Sequence, residues 1–63
     1  NWQPPISGEE IMRLFDLKPS KEVGILKTKI KDAILDGKIH NNYDEAVKYI
    51  ISEGATLGLS PKN

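Results

Sequence analysis

Lys18, Ser20, Lys21, Lys27 and Lys31 fall within residues 18–31. Ammonium groups gathered around a serine at the start of a helix do one kind of chemistry well, which is to hold an anion. A helix amino end carries unpaired backbone N–H groups and partial positive charge, so lysines beside it make a seat for a phosphate. The remaining polar residues point to no reaction. Glu9 and Glu10 are adjacent, and adjacent helical residues project about 100° apart, which suits them poorly to sharing one cation. His40 is the single histidine and there is no cysteine, whereas a zinc site takes about four ligands. No Walker-type loop, nucleophile elbow or histidine–carboxylate pairing is expected to be present. No catalytic and no metal-ligating residue is therefore expected.

Two readings of the lysines compete. Around a helix over this segment, Lys27, Lys31, Gly24, Leu35, Thr28 and Lys21 follow one another in angular order on the arc away from the apolar stripe. That arc could lie against a sugar-phosphate backbone, with Gly24 allowing close approach. Alternatively, the lysines simply face water, and Gly24 with Thr28 lets one helix cross another closely.

The elements that must position these residues are short helices. Ser7 with Glu10 forms a capping box, so a helix should start at Gly8 and run to about residue 16, with Ile11, Leu14 and Phe15 as its apolar stripe. Pro19 is expected to stop it by disfavouring helical geometry at Lys18. Ser20 is expected to cap a second helix whose core positions are Val23, Leu26, Ile30, Ala33 and Ile34, with Gly37 as its left-handed stop. Asn42 with Glu45 repeats the capping logic. Tyr43, Ala46, Val47, Ile50, Ile51, Gly54 and Leu57 form the third stripe, which ends at Gly58. Ile6 should pack onto the first helix as a hydrophobic staple. No strand pattern or internal repeat appears, so the fold class is all-α: a small three-helix bundle or orthogonal three-helix array with linkers of about three to five residues. Residues 1–7 read as a linker remnant and cap, 8–59 as the helical domain and 60–63 as a tail.

Bulk properties bound what such a domain does. Its 63 residues make one domain, and a chain of this size buries about 60% of its unfolded surface. Eight isoleucines, six leucines and two valines supply the core, while four aromatics are too few for a base-stacking sheet platform. Without cysteine there is no disulfide framework. The apolar runs fall far short of the roughly 20 residues needed to span a bilayer, no signal peptide opens the chain, and it reads as soluble and cytoplasmic with no membrane partner. It opens at Asn1 and its one methionine is Met12, which reads as a piece of a larger protein. Net charge is zero but unevenly laid out: residues 1–17 carry −2, residues 18–38 carry +3 and residues 39–59 carry −2. The basic strip is local, suited to adding contacts within a larger complex.

Three apolar residues stand apart. Ile25 and Leu35 lie off the second helix's core stripe, and with Trp2 they form a candidate docking set against the rest of a parent chain or a second copy. Tyr49 sits opposite the third stripe, where it either stacks on a base or packs against the chain's ends. Tyr43, on the stripe, reads as core, and His40 reads as a hydrogen-bonding or capping residue.

Taken in order, Ile6-Ser7-Gly8-Glu9-Glu10-Ile11-Met12, Leu17-Lys18-Pro19-Ser20-Lys21-Glu22-Val23-Gly24 and Leu35-Asp36-Gly37-Lys38-Ile39 resemble the carboxy-terminal region of bacterial CCA-adding tRNA nucleotidyltransferases and their poly(A) polymerase relatives. Members of that family often end with I-S-G-x-D-L-M, a short gap, L-x-P-G-P-x-V-G, a long helix, a glycine-containing turn and a last helix. Ser20-Lys21 stands where many relatives have Gly-Pro, which alters any backbone-mediated contact of that turn. The resemblance implies a non-catalytic tail module that helps grip tRNA. Catalysis, with Mg and nucleoside triphosphates, belongs to a head domain of the parent; no cofactor is implied for the segment itself. Lys18, Ser20, Lys21, Lys27 and Lys31 are then the RNA-contact candidates. The rival function is a docking or oligomerisation module built on Trp2, Ile25 and Leu35 without RNA contact. A helix-turn-helix DNA reader fits less well, because the second helix lacks the Arg, Asn and Gln content that base readout employs.

Overall fold

The computed structural model describes residues 3–62. Three helices form a small all-α bundle: α1 (Gly8–Phe15), α2 (Lys21–Leu35) and α3 (Tyr43–Thr56). α2 is the middle element, with α1 and α3 both packed against it. Among the described residues no helix is long and apolar enough to cross a membrane.

Local chemistry sets most of the boundaries. At the start of α1 the Glu10 N–H donates to the Ser7 hydroxyl at 3.1 Å, and the Ser7 N–H donates to the Glu10 carboxylate at 2.9 Å, which completes the capping box. Each helix ends on a residue in the left-handed region: Asp16 (φ 57°), Gly37 (φ 76°) and Gly58 (φ 82°). In each case the next N–H reaches back to a carbonyl five residues earlier: Leu17 to Met12, Lys38 to Ala33 and Leu59 to Gly54, all at 2.8 Å. α1 therefore stops at Phe15 through its own Asp16 turn, before Pro19 has any part in it. The second connection, residues 36–42, is longer than the expected linker.

The core is apolar throughout. Ile6, Ile11, Phe15, Val23, Leu26, Ile30, Ala33, Ala46 and Ile50 are buried, and among the described residues no polar side chain is. Ile6 joins the cluster as the staple should. Burying an isoleucine or leucine contributes about 1.5–3 kcal/mol, whereas a partly exposed ion pair such as Lys29–Glu53, 3.3 Å between α2 and α3, contributes about 1 kcal/mol or less. Packing dominates this fold.

One stripe assignment needs correcting and another gains a reason. Tyr43, expected in the core, is 50% exposed: it is the first residue of α3 and overhangs the end of the bundle. Gly54 is on the stripe for a reason that periodicity does not convey. A methyl group there would fall 2.6 Å from Cζ of Phe15, so the glycine is the seat for that ring. Tyr49 packs partly buried against the core cluster.

Candidate anion-binding groove at the start of α2

Where the first turn of α1 meets the first turns of α2, a groove of about 410 Å³ opens between Ser7, Gly8, Glu9 and Met12 on one wall and Pro19, Ser20, Val23, Gly24 and Lys27 on the other. Gly8 lies against Val23 and Lys27, so the start of α1 shares the groove with the first turns of α2. The Lys27 side chain bridges the walls: a methyl at Gly8 would stand 3.4 Å from its Cδ and 4.0 Å from its Nζ.

Of the five lysine and serine candidates, Ser20 and Lys27 line the groove. Lys21 and Lys31 lie on the adjoining exposed arc of α2, and Lys18 is exposed in the turn before it. At about 100° per residue, the arc from Lys27 through Lys31, Gly24, Leu35 and Thr28 to Lys21 spans about 120°. Every residue on it is exposed. Among the described residues Lys18, Lys21, Lys27 and Lys31 make no ion pair; Lys29, on the opposite flank, is held by Glu53, and Lys62 stands 3.7 Å from Asp16. The acids at hand are Glu9 on the facing wall, Glu22 in the first turn of α2 and Asp32 beyond Lys21 on the arc.

Ser20 corrects one expectation. It occupies the N-cap position of α2 with extended backbone (φ −158°, ψ 170°), yet its side chain makes no capping hydrogen bond. The start of α2 is thus left open by its own chain, and an oxyanion fits such an end because the N–H groups and the helix dipole both favour negative charge.

Gly24 is exposed, and a methyl there would meet nothing within 4 Å. The helix-crossing alternative for this glycine therefore fails. Glycine inside a helix costs about 1 kcal/mol relative to alanine, and the fold offers no packing contact in return.

His40 is bound up elsewhere. Its N–H donates to Glu45 Oε1 at 2.7 Å, and its ring Nδ1 lies 2.9 Å from Glu45 Oε2. A histidine–carboxylate pairing does exist, then, contrary to the expectation from the sequence. It is an exposed cap on α3 with the side-chain amide of Asn42 3.2 Å from the same carboxylate. The backbone bond from His40, then its ring, hold the Glu45 carboxyl below the usual glutamate range. Among the described residues no three of His, Cys, Asp and Glu come together as a metal-binding group.

Of the docking candidates, Ile25 (37% exposed) and Leu35 (65%) do face outward on α2; Trp2 lies outside the described residues. The α1 wall of the groove was not identified from the sequence. The capping box marks Ser7 and Gly8 as a helix start, but nothing local says that this start meets that of α2. No family model, no curated protein and no solved structure matches the chain.

Proposed function

We propose that this chain is a non-catalytic RNA-contacting module that grips its ligand through α2, and that it serves as the carboxy-terminal tail of a CCA-adding tRNA nucleotidyltransferase. The observation that carries this reading is the open amino end of α2, with Lys18 and Lys21 exposed beside it and Lys27 and Lys31 exposed further along the same helix, all four unpaired among the described residues. Lysines on a helix surface contact phosphates and so position an RNA, while base identity is read by other means. The ordered likeness of residues 5–57 to the family's carboxy-terminal pattern supplies the identity of the ligand, tRNA, and of the parent. In that parent, a head domain with Mg and nucleoside triphosphates extends tRNA 3′ ends in the cytoplasm, or adds poly(A) in the related branch.

Replacing Lys21, Lys27 and Lys31 together with alanine should weaken tRNA binding and reduce the slope of log affinity against log salt by about 2–3, the counterions of three phosphates. An unchanged affinity and slope would remove RNA contact from the account.

A second reading draws on the outward Ile25 and Leu35. There, α2 docks on the remainder of the parent chain or on a second copy, and RNA is held elsewhere. Sedimentation across concentrations decides the self-association form of this reading, which a strict monomer excludes.

A further inference from the structure

Resting on the RNA reading above, we infer that Gly24 is the place where the ligand's sugar-phosphate backbone lies directly on α2, a position kept free of a side chain for the ligand's sake.

Three of the chain's other glycines answer to the fold: Gly54 seats the Phe15 ring, and Gly37 and Gly58 take the left-handed backbone that ends their helices, while a methyl at Gly8 would meet Val23 and Lys27 at ordinary contact distance. Gly24 has neither a positive φ nor a neighbour, although it sits in the early part of α2, where alanine would favour the helix. An external surface approaching the helix is the remaining physical use for a missing Cβ.

Its surroundings fit a polyanion. Gly24 lines the groove beside Lys27, and Lys31 lies on the same exposed arc two turns beyond Gly24. Lys27 and Lys31 are four residues apart, a rise of roughly 6 Å along the helix, so two cations can follow one strand past the bare patch. Glu9 on the facing wall repels the same strand and holds it to the α2 side. There is no arginine, asparagine, glutamine or aromatic side chain on the arc, so the contact is with sugar and phosphate and the bases go unread.

The test uses the 63-residue chain, a fluorescein-labelled unmodified tRNA transcript read by anisotropy at low salt, and thermal melts. Gly24→Ala should raise Tm by about 5 °C yet weaken binding about threefold, and Gly24→Leu should weaken it about tenfold while also melting higher. The Lys27→Ala, Lys31→Ala double variant is the control for RNA contact, and it should lose affinity without gaining stability. If both Gly24 variants melt higher and bind as tightly as the parent sequence while the lysine variant binds weakly, the inference is overturned and the RNA reading stands. If the Gly24 variants melt lower, the glycine serves the fold and the inference is likewise overturned. A parent sequence that binds no transcript, or a lysine variant that binds equally well, removes the RNA reading and this inference with it.

Discussion

The starts of α2 and α3 have nearly the same backbone and opposite fates. Ser20 (φ −158°, ψ 170°) and Asn42 (φ −144°, ψ 159°) are both extended N-cap residues with a competent side chain. Asn42 uses its side chain: Oδ1 accepts the Glu45 N–H at 2.9 Å, and Glu45 in turn accepts from His40. Two acids, Asp44 and Glu45, complement the dipole in the first turn of α3. Ser20 makes no such bond, and at its end Lys18 and Lys21 flank a single first-turn acid, Glu22. One helix start is consumed by the fold. The other keeps its donors and its field directed outward. Backbone geometry alone therefore does not say whether a helix end belongs to stability or to binding; the partners of the cap residue do.

That contrast can be broken by cap replacement. Asn42→Ala should cost about 1 kcal/mol and lower Tm by about 5 °C in a thermal melt. Ser20→Asp should do the reverse at α2, stabilising by about 0.5 kcal/mol as the carboxylate bonds to the free amides. The same variant should bind tRNA more weakly, because a fixed carboxylate then holds the place of a phosphate; unimpaired binding would show that this end is not the contact. Ser20→Ala should shift stability by no more than about 0.3 kcal/mol, since no cap bond is lost. Equal costs at positions 20 and 42 would erase the distinction.

The smallest effect is one of pH, and its sign follows from Glu45. Its carboxyl is held below the ordinary value, first by the His40 N–H and next by the His40 ring. A depressed folded-state value means the contribution is fully present above the unfolded value and is lost as pH falls through the folded one. Amide protection, taken relative to the intrinsic exchange rate at each pH, should therefore fall at His40 and in the first turn of α3 on acidification below the ordinary glutamate range, while that of the first turn of α2 stays unchanged. Parallel acid loosening of both helix starts would contradict the asymmetry.

Much of the fold was legible because its signals are local. Ser7 with Glu10 and Asn42 with Glu45 are cap pairs whose hydrogen bonds span three residues, and Gly37 and Gly58 end their helices by a backbone freedom read from residue type. Asp16 was not legible as a stop, because it takes on a left-handed conformation more usual for glycine. Tyr43 misled because angular projection treats a helix as endless, whereas the first residue of α3 is left half exposed. In the groove, the α2 wall was readable from Lys27 and Ser20, which belong to one helix and its cap. The α1 wall depends on how the turn 16–20 sets one helix against the other, and no local spacing encodes that. Gly24 was visible from the start, but only the empty space around it separates contact with a ligand from contact with another helix.

The Phe15 ring resting on Gly54 gives α1 a fulcrum. Any side chain introduced at position 54 must push that ring away, and α1, eight residues long and anchored there at its far end, tips as a lever whose other end forms one bank of the groove. A Gly54→Ala variant should consequently shift the amide signals of Ser7 to Met12 although its new methyl lies on α3. Weakened ligand affinity in such a variant would report a misaligned channel, with every lysine still in place.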